Sequence, residues 1–231
     1  MYRMFRCAAL TAVLVAVSVS SNAKVVSGEL DITGAVIFTS TLIDFTPAFG
    51  GSGRAAIVDG SSGTFSSLIG ALAIVQDIPI PPPGGILDAI TFPAAPLLHF
   101  DATAVEPGIF DSSQCAVTPP AAGQTCTVPE LPFNLTNTLH GSTLSFEING
   151  TFLDLSDGNA DPAPYHGIVT AQFIGKSYQD VLASLGSGQS ITTSFSASFG
   201  PSVVPEASGV LMLSAGLLAL GALRWRRSRQ G

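Results

Sequence analysis

The central part of this chain has very few positive charges. Between Lys24 and Gly200 only Lys24, Arg54 and Lys176 are basic, against fifteen aspartates and glutamates, which gives three positive and fifteen negative charges, a formal net charge of −12. A surface this acidic repels phosphate backbones and anionic lipid, so the composition excludes nucleic-acid binding. We expect most of these carboxylates to be solvated surface groups, with an ability to attract divalent cations.

Cysteine and tryptophan are also scarce. Only two cysteines, Cys115 and Cys126, follow the first 23 residues. If the chain is exported, an even pair of cysteines indicates a disulfide, here closing the loop CAVTPPAAGQTC. Metal binding by these cysteines is the alternative, and it is disfavoured because no histidine stands at ligand spacing. The single tryptophan is Trp225, so the central part has no tryptophan to stack on a sugar ring.

No recognisable catalytic constellation is present in the sequence. The histidines are far apart along the chain: His99, His140 and His166. No Gly-x-Ser-x-Gly elbow accompanies them, and a lone histidine beside an aspartate, as in LLHFD, is more often a structural hydrogen-bonding residue. The neighbours of Glu106, Glu130 and Glu147 do not indicate the paired carboxylates of a glycosidase. We therefore predict no catalytic residue and no cofactor other than calcium, considered next.

One polar stretch, DLSDGNADPAPYHG, can be compared with calcium loops. Asp157, Asn159 and Asp161 have the alternating oxygen-ligand spacing with which an EF-hand begins. Pro162 then stands where the loop glycine belongs, and Ile168 where the bidentate glutamate belongs, so an EF-hand is excluded. A loose calcium site at the first three residues stays as a hypothesis, and an ordinary Asp/Asn/Gly turn is the alternative.

The N-terminus has the three parts of a secretion signal. Arg3 and Arg6 are followed by an apolar run from Cys7 to Val19 and by the small-x-small sequence Ser-Asn-Ala that ends at Ala23. This order is typical of a cleaved signal peptide. We predict cleavage between Ala23 and Lys24.

The C-terminus also has three parts. Residues Val204, Pro205, Glu206 and Ala207 precede an apolar run over Ser208–Leu223. A cluster of arginines then follows: Arg224, Arg226, Arg227 and Arg229. The run is slightly shorter than the about 20 residues that a transmembrane helix needs. Arginines after it would stay in the cytoplasm and leave the preceding domain outside. A buried helix of a globular core is the alternative.

This tail resembles the PEP-CTERM sorting signal of Gram-negative bacteria. The resemblance is limited to residues 201–231, and Ala207 replaces the second proline of the family motif. It implies that exosortase, a membrane-embedded cysteine transpeptidase, cuts at or near the Pro-Glu pair and passes the protein to the cell surface or extracellular matrix. The implied partners are exosortase, the secretion machinery, the membrane before processing, and exopolysaccharide.

Residues 24–200 have the pattern of an antiparallel β domain. Five segments alternate apolar and polar residues and are rich in Thr, Phe, Val and Ile: Gly34–Phe45, Pro132–Leu139, Ser142–Leu155, His166–Gly175 and Ser190–Phe199. Asn149-Gly150 indicates a hairpin turn, and IPIPPPGG indicates a surface loop. The stretch SYQDVLASLG has helical spacing with Gly186 as its C-cap. We predict an all-β fold, an antiparallel β-sandwich or jelly-roll-like domain with one short helix, flanked by the signal peptide (1–23) and the sorting helix (201–231).

Two function classes follow from these patterns. The first is a non-enzymatic surface or matrix protein that contributes to envelope or exopolysaccharide structure. The second is a secreted hydrolase or carbohydrate-binding module, because β-sandwich scaffolds carry both. A groove lined by aromatic rings or two converging carboxylates would favour the second.

Overall fold

The computed structural model describes residues 25–47, 52–129, 131–156, 158 and 162–202. Twelve strands and one α-helix lie in this part of the chain. The strands are β1 (Leu30–Phe38), β2 (Leu42–Thr46), β3 (Ser52–Ile57), β4 (Leu72–Gln76), β5 (Ile78–Pro79), β6 (Ile86–Thr91), β7 (Leu98–Val105), β8 (Thr125–Thr127), β9 (Asn134–Thr138), β10 (Gly141–Asp154), β11 (Ala163–Ile174) and β12 (Ile191–Pro201). The helix α1 spans Tyr178–Gly186, and two 3₁₀ segments span Gly63–Leu68 and Ser112–Ala116.

Eight of these strands form a closed antiparallel barrel. The order is β11, β12, β1, β3, β4, β6, β7 and β10, and β10 pairs again with β11. Outside this ring, β2 pairs with β1 and β5, while β9 pairs with β10 and β8. The prediction of a mostly β, antiparallel domain with one short helix is confirmed.

The strands lie in one closed sheet, whereas the sequence pattern predicted a sandwich or jelly roll. The reason is that two strands each pair with two neighbours along one edge. β1 pairs with β3 over residues 32–34 and with β2 over residues 35–38. β10 pairs with β9 over residues 141–145 and with β7 over residues 148–154. These partner changes join segments that would otherwise belong to separate sheets.

The barrel interior is filled by aromatic side chains. Along β10 every second residue from Ser142 to Asp154 is buried, as expected for a strand with one face toward the core and the other toward solvent. The ring of Phe152 lies 4.8 Å from the rings of Phe100 and Tyr165, measured between centroids, which is the range of favourable aromatic contacts. The remaining cavity, of about 20 Å³, is lined almost entirely by apolar side chains. The interior is therefore a packed core with room for about one water molecule.

Asn149 and Gly150 do not form the hairpin turn that their sequence indicates. Both lie within β10, where the register against β7 shifts between them. Gly150 faces the core, and a Cβ atom there would lie 2.4 Å from the ring of Phe100. The same Cβ atom would lie 2.3 Å from the carbonyl oxygen of Asp101. The close approach of the β7 backbone and of the Phe100 ring, rather than a turn, is therefore the physical reason for a glycine at this position.

Two other segments differ in detail from their predictions. Gly34–Phe45 is divided between β1 and β2 by a turn at residues 39–41. The proline stretch contributes the two-residue strand β5, which pairs only with β2 among the described strands. Most of the residues that follow in this stretch are exposed, which agrees with the predicted surface loop.

Helix α1 forms where its spacing predicted. It buries Tyr178, Val181 and Leu185. Ser177 and Asp180 form a capping box at its start, in which each side chain accepts a hydrogen bond from the backbone N–H of the other residue. Gly186 is the last helical residue rather than the cap, and the left-handed backbone conformation follows at Gly188 (φ +78°).

Candidate functional site

Two groups of histidine and carboxylate side chains, which could bind a ligand or transfer protons, lie on the outer face of β6, β7, β10 and β11. On β7 the side chain of Phe100 is buried, so His99 and Asp101 on either side point outward. On β10 Asn149 also faces outward, and it pairs with His166 of β11. Adjacent strands therefore present two histidines and several carboxylates on one side of the barrel.

The first group of side chains, which we call the His99 cluster, consists of Asp88, His99 and Asp101. One potential ligand atom of each residue lies within 4.8 Å of those of the others. The Nε2 atom of His99 is 3.9 Å from Oδ1 of Asp88. The backbone N–H of Asp88 donates a hydrogen bond of 2.7 Å to Oδ1 of Asp101. The cluster therefore combines one imidazole and two carboxylates.

A local irregularity of the sheet brings Asp88 to this cluster. The register between β6 and β7 shifts between Ile86 and Ile90, and Asp88 has a left-handed backbone (φ +52°). Aspartate is one of the non-glycine residues that tolerate this conformation. The bulge turns the Asp88 side chain toward β7. The side chain of His99 is 18% exposed and that of Asp88 is 60% exposed.

The second group, the His166 chain, consists of Glu106, Asn149, His166 and Glu147. The side-chain amide of Asn149 donates a hydrogen bond of 2.6 Å to Oε1 of Glu106. Its carbonyl oxygen lies 3.0 Å from Nδ1 of His166, so we assign the hydrogen of this contact to Nδ1. The Nε2 atom of His166 then faces Oε2 of Glu147 at 3.7 Å. This arrangement orients an imidazole between an amide and a carboxylate.

Sequence reasoning missed both groups because it could not predict strand register. The glutamates Glu106 and Glu147 gave no signal in sequence, yet the N–H of Glu106 donates a hydrogen bond of 2.9 Å to the carbonyl of Glu147. One signal was available for the first group, since His99 and Asp101 are two residues apart on a predicted strand and must share a face. His140 joins neither group and is exposed in the turn before β10.

The two tyrosines of the central part are buried. Tyr165 is 1% exposed, and its hydroxyl donates a hydrogen bond of 2.9 Å to the carbonyl of Gly28. Burial raises the pKa of Tyr165 to about 12. Tyr178 is fully buried and donates to the carbonyl of Gln114, and burial raises its pKa as well. Neither ring is available to stack on a sugar.

The structure pairs the two cysteines as predicted. Cys115, in the second 3₁₀ segment, and Cys126, in β8, form a disulfide with their Cα atoms 5.0 Å apart. Two other sets of predicted residues lie outside the described residues. These are the proposed calcium ligands Asp157, Asn159 and Asp161, and the terminal signals Ala23, Lys24, Val204, Pro205, Glu206, Ala207, Arg224, Arg226, Arg227 and Arg229.

Comparison with known protein families, curated proteins and solved structures finds no match to this chain. Within the ranges that the structure describes, no helix has the length and apolar character needed to cross a membrane. The predicted span Ser208–Leu223 is outside those ranges. The fold defines the class as a closed, disulfide-containing antiparallel β domain with most of its charged groups on the outside.

Proposed function

We propose that this protein is exported to the cell surface or extracellular matrix of a Gram-negative bacterium, where it has a non-enzymatic structural or exopolysaccharide-associated role. The observation that carries the proposal is the filled barrel. Because aromatic rings occupy the interior, the groups able to bind other molecules are on the outer surface. An acidic domain of this kind suits contacts with neighbouring polymers more than enclosure of a small ligand.

The proposed route of export rests on the two terminal signals. Secretion would remove residues 1–23, and the helix Ser208–Leu223 would hold the chain in the inner membrane with its arginines in the cytoplasm. Exosortase would then act at Pro205-Glu206. The disulfide between Cys115 and Cys126 supports export, since such bonds persist in oxidising compartments.

Fractionation of a producing host tests this route. We expect the natural chain in the surface or matrix fraction, and a P205A/E206A double variant in the inner membrane at full length. The control is A207P, which restores the proline of the family motif and should be released at least as fully as the natural chain. Identical distribution of the natural chain and the double variant would contradict the sorting proposal.

A deletion strain tests the role itself. Loss of the gene should reduce the amount of exopolysaccharide retained by the cells, and re-expression of the natural chain should restore it. A strain that retains its polymer unchanged would contradict a role in the matrix.

One observation favours a secreted hydrolase as the second candidate. The His166 chain places an oriented imidazole nitrogen beside Glu147 on the barrel surface. Such a pair can transfer protons when it faces a bound substrate. Restoration of the deletion strain by an E147Q variant, in which the carboxylate is replaced by a neutral isostere, would favour the structural role. Failure of E147Q together with normal export would favour the hydrolase.

A further inference from the structure

We propose that the His99 cluster binds a divalent transition-metal ion. The three side chains come from two adjacent strands and converge on one point of the outer face, Asp88 from β6 and the other two from β7. They offer one imidazole nitrogen and two carboxylates, which are ligand types that zinc sites in proteins use. This site is separate from Asp157, Asn159 and Asp161, and it is independent of the proposed surface role.

The distances require only a small adjustment. Two ligand atoms that each bind a metal at about 2.0–2.2 Å can be no more than about 4.4 Å apart. In the structure, the potential ligand atoms of the three side chains lie within 4.8 Å of one another. The distance between His99 Nε2 and Asp88 Oδ1 is 3.9 Å, which is already short enough. The Asp88 side chain is 60% exposed, so it can rotate toward the other two at little cost.

The backbone holds Asp101 in place while leaving the cluster accessible. Oδ1 of Asp101 accepts the N–H of Asp88, and this bond links the bulge in β6 to the carboxylate on β7. Hydrogen bonds of this kind orient a metal-ligating carboxylate. Exposure of Asp88 leaves a path for the ion from solvent. Three protein ligands leave at least one coordination position for water or for an oxygen ligand from outside.

The ligand types select the class of metal. Calcium takes six to eight oxygen ligands, whereas this cluster has few oxygens and a nitrogen. Imidazole favours zinc, copper, iron or nickel. Because the domain carries three positive and fifteen negative charges between residues 24 and 200, it also concentrates cations at its surface. The competing explanation for the cluster is an ion pair between protonated His99 and Asp88 with no metal.

Isothermal titration with Zn²⁺ of the full chain, purified in detergent and without a histidine tag, tests the proposal. We expect one saturable site per chain, and at least about a tenfold loss of affinity, which corresponds to about 1.4 kcal/mol, in H99A and in D101N. D101N keeps an oxygen that can accept the Asp88 N–H, so the β-bulge should remain. Circular dichroism of each variant checks that the barrel is folded.

H140A is the matched control, because His140 is an exposed histidine outside the cluster. Its affinity for Zn²⁺ should equal that of the natural chain. The proposal is overturned if the natural chain has no saturable site, if H99A and D101N bind as tightly as the natural chain, or if H140A alone abolishes binding. Displacement of Zn²⁺ by a small excess of Ca²⁺ would also overturn it.

Discussion

At the scale of single residues, two glycines face the barrel core directly beneath phenylalanine rings. A Cβ atom on Gly167 would lie 2.3 Å from the ring of Phe199, and one on Gly150 would lie 2.4 Å from the ring of Phe100. Both distances are far below van der Waals contact. A ring placed over a glycine fills the space that a side chain would otherwise take, which explains how large rings fit inside a closed eight-stranded ring.

The substitution G167A tests this packing. The added methyl group must displace the Phe199 ring, so we expect a loss of about 1–3 kcal/mol in the free energy of unfolding. The matched control is G186A, where no heavy atom lies within 4 Å of the added Cβ and the residue is helical. G186A should be neutral or more stable by up to about 1 kcal/mol. Equal urea midpoints for the two variants would contradict the packing argument.

Asp77 is a residue whose charge opposes folding. Its pKa is raised above 3.8, mainly because burial desolvates the carboxylate and also because Asp44 repels it. The N–H of Phe45, which donates a hydrogen bond of 2.9 Å to Oδ1 of Asp77, lowers the pKa and partly offsets these effects. Because the folded state holds this proton more tightly than the unfolded state, the contribution of Asp77 falls as pH rises from 3.8 through the raised pKa.

The D77N variant should therefore be more stable than the natural chain near neutral pH, and the difference should vanish below pH 3.8. The substituted amide retains an oxygen that can accept the Phe45 N–H.

D111N is a control of opposite sign, because hydrogen bonds from Ser113 lower the pKa of Asp111. Its destabilisation should be present above pH 3.8 and lost as pH falls through that lowered pKa. Urea unfolding at several pH values measures both, and a D77N stability difference that does not change with pH would count against the assignment.

At the scale of elements, the disulfide and a network of amide side chains hold α1, β9 and the loop before β8 together. Oδ1 of Asn137 accepts the N–H of Tyr178 at 2.8 Å, and its amide donates to Oε1 of Gln179 at 2.9 Å. Gln179 in turn donates to the carbonyl of Val117, two residues after Cys115. The buried Asn137 is thereby satisfied, as a polar group without solvent access must be.

Removal of the disulfide should loosen this part of the molecule. For a loop with a sequence separation of 11, the chain-entropy model gives about 3 kcal/mol of stabilisation. We expect reductant to lower the free energy of unfolding of the natural chain by that amount. Reductant should have no effect on a C115A/C126A double variant, which serves as the control. An unchanged urea midpoint for the reduced natural chain would show that the bond contributes nothing to stability.

The secondary structure could be predicted from sequence where local rules dominate. The spacing of Tyr178, Val181 and Leu185 predicted α1 almost to the residue. The alternation in Ser142–Leu155 predicted the extended conformation of β10, but the prediction divided this strand by a turn. The hairpin turn predicted at Asn149-Gly150 was wrong, because the Asn-Gly signal reflects only local backbone preference. Gly150 instead makes room for the Phe100 ring, which belongs to a different strand. The complete His99 cluster could not be predicted, because Asp88 joins His99 and Asp101 only through the bulge in β6, which no local pattern encodes.

At the scale of the whole molecule, charge and apolar character are separated along the chain. Most of the basic residues lie in the two predicted terminal signals, while the barrel between them is strongly acidic. The eight barrel strands, all within the described ranges, close on each other, so this ring has no unpaired edge that could pair with another chain. Among the described strands the sheet ends instead at the short strands β5 and β8, which limits edge-to-edge association, as a protein displayed at high local concentration requires.

The most direct test of this account is the intact mass of the protein isolated from its native host, with peptide mapping of both termini and with and without reduction. The account predicts a chain that begins at Lys24, ends near Glu206, and gains the mass of two hydrogen atoms on reduction of Cys115–Cys126. A chain that still carries Ser208–Leu223 and the arginines through Arg229 would contradict processing of the tail. The protein would then be an anchored domain rather than a released one.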